Sequence, residues 1–216
     1  MTAKAKICGI STSQAMEAAL VNGADFIGLV FYRPSPRNVS IAQAKKLADQ
    51  ARGKTKIVAL TVDATDTLLQ DIKTNVQPDY IQAHGSETPK RLEQIKRQTG
   101  LPVIKAIKVR DANDVNQANA FKSIADIILF DAKAPDNSPD ALPGGNGERF
   151  DWSLLSTAHP PAKFMLSGGL NPQNIGEAVK STDAAYFDVS SGVETAPGKK
   201  DLAAIKNFIV AMRNAG

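Results

Sequence analysis

Short apolar runs alternate along this chain with longer stretches whose apolar residues recur every three to four positions. The first pattern predicts buried strands and the second predicts helices packed on one face. Lys4–Ile10 opens the series as a strand ending just after Cys8, at Gly9, Ile10 and Ser11. A helix follows, capped by a serine or threonine near Ser11, with Met16, Ala19 and Leu20 on one face and Gly23 as its stop. Asp25–Phe31 is continuously apolar after its first residue, as expected for a strand covered on both sides. Ser40-Ile-Ala-Gln43 then reads as a capping box opening a second helix.

The unit recurs to the end of the chain. Strands are expected over Lys56–Val62, Asp79–Gln82, Pro102–Lys108, Asp126–Asp131, Lys163–Ser167 and Ala185–Asp188. Helices are expected over Asp66–Asn75, from the Thr88 cap through Pro89 to Gly100, over Asp111–Phe121, in a short piece near Asp151–Ser156, and over Asn171–Lys180 with Asn171 as cap. Leu202, Ile205, Phe208, Ile209 and Met212 mark the last helix by their spacing. Strand–helix alternation implies a parallel sheet, and eight units within 216 residues fit a closed (β/α)8 barrel, read as one α/β domain over residues 1–216. An open doubly wound sheet is the alternative, but no G-x-G-x-x-G follows the first strand.

Composition narrows the function classes. Charged residues are 22% and the net charge is +4, with the cations dispersed, so nucleic-acid binding is not indicated while an anionic small substrate would suit a locally positive site. One cysteine allows no intramolecular disulfide and no metal-cluster spacing, and it favours a reducing, cytoplasmic setting. The start of the chain lacks a secretory apolar core. The longest apolar run, Phe26–Tyr32, is too short for a bilayer, so no membrane partner is expected.

In a parallel barrel, chemistry belongs to the C-terminal strand ends. Cys8 sits at one such end, as either a small buried hydrophobe or a reactive thiol. Asp131 ends an apolar strand, where a poorly solvated carboxyl can hold a proton for general-acid work, or can simply cap the strand or pair with Lys133. Leu142-Pro-Gly-Gly-Asn-Gly147 reads as a covering loop or a backbone surface brought close to a ligand. Ser167-Gly-Gly-Leu-Asn-Pro172 places Gly168 and Gly169 before a helix N-terminus. Asp188-Val-Ser-Ser-Gly-Val-Glu194 adds further donors, so the loops after strands seven and eight together suggest a phosphate site. Arg37, stiffened by Pro34 and Pro36, suits a bidentate carboxylate grip, although an arginine without a role is commoner. His84 closes strand four, where a histidine is often structural, and the sequence alone assigns it no chemistry.

Taken together, Lys6-Ile-Cys-Gly-Ile10, Ser35-Pro-Arg37, Gln82-Ala-His-Gly85, Asp131, the Leu142–Gly147 loop, Ser167–Pro172 and Asp188–Glu194 resemble the phosphoribosylanthranilate isomerase family, in order and at nearly every strand end. Ala83 and Asn146 depart from the family pattern without removing a group the chemistry needs. The resemblance implies an Amadori rearrangement of N-(5'-phosphoribosyl)anthranilate in tryptophan biosynthesis, with no cofactor and no metal. It implies Asp131 as general acid and Cys8 as general base. Arg37 would hold the anthranilate carboxylate, and Gly168, Gly169, Ser190, Ser191 and Gly192 the phosphate. His84 and Asp188 would lie near the ribose, and Gly144 and Gly145 would belong to the binding surface. The working form is expected to be a monomer or a homodimer. Two other sugar-phosphate barrels compete with this reading. The histidine-pathway isomerase would carry aspartate where Cys8 stands, and indole-glycerol-phosphate synthase would need catalytic lysines that Lys105 and Lys108 do not match in context. A phosphosugar-binding or scaffolding barrel is the non-enzyme alternative.

Overall fold

The computed structural model describes residues 3–133, 144–145, 147–157 and 163–216. The eight strands β1 (Lys4–Cys8), β2 (Phe26–Phe31), β3 (Lys56–Thr61), β4 (Tyr80–Ala83), β5 (Val103–Val109), β6 (Ile127–Ala132), β7 (Phe164–Leu166) and β8 (Tyr186–Val189) form a closed parallel barrel in sequence order. Closure is made by β1 on β8, with Lys6 opposite Asp188. Helices α1 (Ser13–Val21), α2 (Ile41–Ala51), α3 (Asp66–Asp71), α4 (Pro89–Thr99), α5 (Ala112–Asn116), α6 (Ser153–Thr157), α7 (Ile175–Ser181) and α8 (Leu202–Ala215) follow their strands.

Strand alternation divides the core in two. Ala5, Ile7, Ile27, Leu29, Ile128, Phe130 and Phe187 face outward and pack with the helices. Phe26, Val58, Ile104, Ala106, Ile127, Leu129 and Met165 face inward, with Tyr80 and Tyr186 packed against them. The Phe26 ring meets Tyr80 and Tyr186 edge-on at 5.8 and 5.5 Å between centroids. This filling makes the barrel a packed core rather than a pore.

Most of the expected starts and stops are present. The side chains of Thr12, Ser40, Thr65, Thr88 and Asp111 accept N–H bonds at their helix starts, and Gly100 closes α4 in the left-handed region. Four readings need correction. The Ser40–Gln43 capping box forms only in half: Ser40 Oγ accepts the Gln43 N–H, but among the described residues the Ser40 N–H makes no return bond to the Gln43 side chain, whose amide nitrogen donates to the Ser11 carbonyl. The helix expected from Asn171 begins at Ile175, because Asn171 caps a preceding turn through the N–H groups of Gln173 and Asn174. The helices read over Asp66–Asn75 and Asp111–Phe121 tighten or widen part-way, α3 passing into a π turn over Ile72–Val76 and α5 into a 3₁₀ turn over Gln117–Ala120. The last helix is as its spacing indicated: α8 starts at Leu202, and Ile205, Phe208, Ile209 and Met212 are buried. The sequence reading also missed a hairpin, β9 (Glu194–Ala196) and β10 (Lys199–Lys200), although Pro197-Gly198 is an ordinary turn signal.

The barrel interior also holds an ion pair. The Lys6 Nζ donates to Asp188 Oδ1 at 2.9 Å, with the lysine side chain fully buried. Burial opposes the ammonium, but the neighbouring carboxylate outweighs it and holds the Lys6 pKa above the ordinary lysine value. Removing one member of such a pair strands the other charge. Lys6→Met is therefore expected to lower unfolding free energy by about 3–5 kcal/mol, and Lys6→Met with Asp188→Asn to recover part of that loss, both read by urea denaturation.

Candidate active site

The C-terminal ends of the strands surround a cleft of about 740 Å3, counted out to its open mouth. Its wall includes Cys8, Arg37, His84, Asp131, Gly144, Gly145, Gly168, Gly169, Asp188, Ser190 and Ser191. The structure thus gathers eleven of the twelve residues singled out in the sequence. Gly192 is the exception. It packs behind the wall, where an added Cβ would lie 1.8 Å from the Leu170 carbonyl oxygen, so this glycine lets the loops after β7 and β8 touch. Leu142, Pro143 and Asn146 of the glycine-rich loop lie outside the described residues.

Parity explains the gathering. Cys8 shares the inward face of β1 with Lys6, and burial pushes the Cys8 thiol up. The Lys6 ammonium works against that rise, and the Asp188 carboxylate adds to it. Burial thus favours the neutral thiol over the thiolate. Asp131 is 3% exposed on the inward face of β6. Its Oδ1 accepts the Ala132 N–H at 3.1 Å, and its Oδ2 lies 3.2 Å from His84 Nε2. The far side of the His84 ring meets the Gln82 amide nitrogen, 2.8 Å from Nδ1. Gly144 lies against this pair so closely that a Cβ there would fall 2.6 Å from His84 Nε2 and 2.9 Å from Asp131 Oδ2. Only a glycine backbone can come that near.

Arg37 is 5% exposed, and its grip is already partly engaged. Nε and Nη2 each donate to Glu194 at 2.9 Å, and Nη2 also reaches the Gly145 carbonyl at 3.3 Å. Among the described residues Nη1 makes no hydrogen bond, so it is the part of the fork left for a ligand. Glu194 arrives on the unforeseen hairpin with Lys200, whose Nζ donates to Glu194 Oε1 at 2.7 Å and to the Ser190 carbonyl at 2.9 Å. The Ser190 hydroxyl donates in turn to the Cys8 carbonyl at 3.2 Å. Burial alone would raise the Glu194 carboxyl, but Arg37 and Lys200 together hold it below the ordinary carboxylate range. Burial lowers the Lys200 ammonium despite Glu194 beside it.

Sequence reasoning gave no separate role to Lys6, Gln82, Glu194 or Lys200. Period-two alternation from Cys8 and His84 points to Lys6 and Gln82. Glu194 lies 157 residues from Arg37, and no local pattern links them. Lys105, considered as a possible catalytic lysine, faces outward. Its Nζ donates to Glu87 at 2.8 Å and to the Gly85 carbonyl at 2.7 Å, and lies 5.7 Å from the centre of the Phe121 ring.

The family model described as N-(5'phosphoribosyl)anthranilate (PRA) isomerase matches residues 5–211. The chain belongs to the phosphoribosylanthranilate isomerase family. An N-(5'-phosphoribosyl)anthranilate isomerase from Mesorhizobium japonicum is 50% identical over 210 residues, covering 97% of this chain and 95% of that protein. Among solved structures, a phosphoribosyl anthranilate isomerase in complex with reduced 1-(O-carboxyphenylamino)-1-deoxyribulose 5-phosphate is 31% identical, with a TM-score of 0.84 over 98% of this chain and 99% of that one. Monomers of the dimeric phosphoribosylanthranilate isomerase from Thermotoga maritima are 31% identical, with a TM-score of 0.83 over 98% and 99% of the two chains. The eight-stranded parallel barrel and the family are thus those expected from the strand-end motifs.

The Arg37–Glu194–Lys200 cluster sets a pH-dependent stability. A carboxyl whose folded pKa is depressed stabilises the fold above its unfolded value, about 4.3, and that contribution is lost as pH falls through the folded value. Glu194→Gln is expected to be less stable than the parent by about 1–3 kcal/mol at pH 7, with the gap closing below about pH 4, measured by urea denaturation across that range.

Proposed function

We propose that this chain is an N-(5'-phosphoribosyl)anthranilate isomerase of tryptophan biosynthesis, working as one barrel domain. It converts its aminoaldose substrate to 1-(2-carboxyphenylamino)-1-deoxyribulose 5-phosphate. The observation that carries the assignment of roles is the convergence, in one cleft, of a buried thiol on β1 and a buried carboxyl on β6. An Amadori rearrangement needs one group to give a proton and another to take one.

In this reading Asp131 protonates the ribose ring oxygen, the C1'–O bond opens and the nitrogen lone pair forms an iminium. Cys8 then removes the proton from C2', giving the enol, which tautomerises to the ketone. A neutral thiol is a poor base, so Cys8 acts once positive charge develops beside it. The Lys6 ammonium below works in the same direction. Nη1 of Arg37 meets the anthranilate carboxylate. Val30, Leu60, Tyr32 and Val62, which pack together beside Cys8, offer the apolar wall for the aromatic ring. The phosphate takes backbone N–H groups of Gly168, Gly169 and Ser191, with Gly192 keeping the two loops in contact. Asp188 and His84 face the ribose, and Gly144 and Gly145 cover it. Protonation of the ring oxygen and removal of the C2' proton are each assigned to a side chain of this chain, and no cofactor or metal enters.

The single thiol suits a reducing cytoplasm. No helix of the described residues is long and apolar enough to cross a membrane. Nucleic acid is not a proposed partner. A monomer or a homodimer is the proposed working form, the dimer by analogy with the Thermotoga relative.

Fluorescence decay of phosphoribosylanthranilate with purified protein tests the activity. Cys8→Ala and Asp131→Asn should each lower kcat by at least about 10²–10⁴-fold, because each removes one proton-transfer group. Binding of a product analogue should change little, since neither group is needed to hold the ground state. Near-parental kcat in Cys8→Ala would make the thiol a packing residue. The same result in Asp131→Asn would move the acid elsewhere.

A further inference from the structure

Asp131 has a histidine as its nearest ionisable neighbour, and this raises a problem for a general acid. An isolated histidine–aspartate pair takes up its proton on the ring and becomes imidazolium and carboxylate, since the ordinary pKa of imidazole lies well above that of a carboxyl. Asp131 would then have no proton to give.

Gln82 removes that outcome. It lies two residues before His84, on the same inward face of β4, and is fully buried. Its amide nitrogen sits 2.8 Å from His84 Nδ1. With the amide nitrogen turned to the ring, as in this structure, Nδ1 presents its lone pair, since an amide nitrogen only donates. The neutral ring then carries its one proton on Nε2, facing Asp131 Oδ2 at 3.2 Å. A second proton on Nδ1 would set two donors against each other in a cluster where His84 is only 5% exposed. The next proton must therefore go to the carboxyl. The arrangement carries a cost: among the described residues Gln82 Oε1 is buried with no hydrogen-bond partner, an uncommon state.

We propose that Gln82 is a positioning residue that holds His84 as the neutral Nε2–H tautomer, so that the proton used to open the ribose ring resides on Asp131. After transfer to the ring oxygen, the carboxylate left behind keeps the N–H bonds of His84 and Ala132. This rests on Asp131 being the acid. The other ionisable groups at this mouth are Cys8 and Lys6 of β1, Tyr32 and Arg37 after β2, Lys108 beside Asp131 on β5, Glu148, Asp188, and Glu194 and Lys200 of the hairpin. Among the described residues none of them hydrogen-bonds to Gln82 or to the His84 ring.

The chain has two histidines, so 15N spectra of the whole protein labelled at histidine resolve both, with His159→Gln giving the assignment. The expected result is an unprotonated, hydrogen-bonded Nδ1 and a protonated Nε2 for His84 from pH 5 to 8. Gln82→Glu turns an acceptor toward Nδ1. It should make His84 an imidazolium at pH 7 and lower kcat about 10²-fold or more, with KM little changed. Gln82→Met, of similar size but without the donor, should let His84 protonate at a higher pH than in the parent. An Nδ1–H tautomer or an imidazolium in the parent at pH 7 overturns the proposal whether or not any variant folds. A Gln82→Glu protein that keeps both a neutral His84 and the parental kcat overturns it as well. Parental activity in Asp131→Asn would instead remove the acid assignment while leaving the tautomer result standing.

Discussion

Lys6 and Asp188 meet inside the barrel where no water reaches the ammonium, and the layout of the mouth depends on that contact. Charges are costly to bury, and a pair of apolar residues would fill the same space without the penalty. The pair sits where β1 and β8 close the barrel, so it ties the first strand to the last. It also places a fixed positive charge two residues below Cys8 and a fixed carboxylate at the wall of the cleft. Without Lys6, both Asp188 and the field on the thiol would change together.

The same logic runs outward through the site. Arg37 is buried because Glu194 receives it, Glu194 because Arg37 and Lys200 neutralise it, and Lys200 because Glu194 and the Ser190 carbonyl accept from it. The β9–β10 hairpin delivers two of the three groups. A guanidinium held on one edge cannot swing, so the direction of its remaining edge is fixed. On the opposite side Gln82, His84 and Asp131 form a chain of hydrogen bonds, and the backbone of Gly144 lies over it. The cleft is thus built from two rigid polar clusters with an apolar wall between them.

Much of this was legible in the sequence. Apolar runs separated by capped, periodic stretches specify strands and helices through backbone sterics and local hydrogen bonding, and those forces act over a few residues. The barrel was therefore readable, and Cys8, His84, Asp131 and Asp188 were readable as residues at or beside strand ends. The errors were also local. Asn171 was read as the cap of a helix but caps a turn four residues ahead of it, because the same side chain serves either purpose.

Pairing across the fold was not legible. Nothing near Arg37 announces Glu194, and nothing near Cys8 announces that Lys6 is held by Asp188, 182 residues away. Sequence by itself determined the eight strand–helix units and which side chains stand at the strand ends, but not the β9–β10 hairpin that adds Glu194 and Lys200. Tertiary structure alone decided which charges neutralise one another, which edge of Arg37 stays open, and which nitrogen of His84 faces Asp131. The reason is that ion pairs and tautomers depend on distances of about 3 Å between groups far apart along the chain, and only closure of the barrel sets those distances.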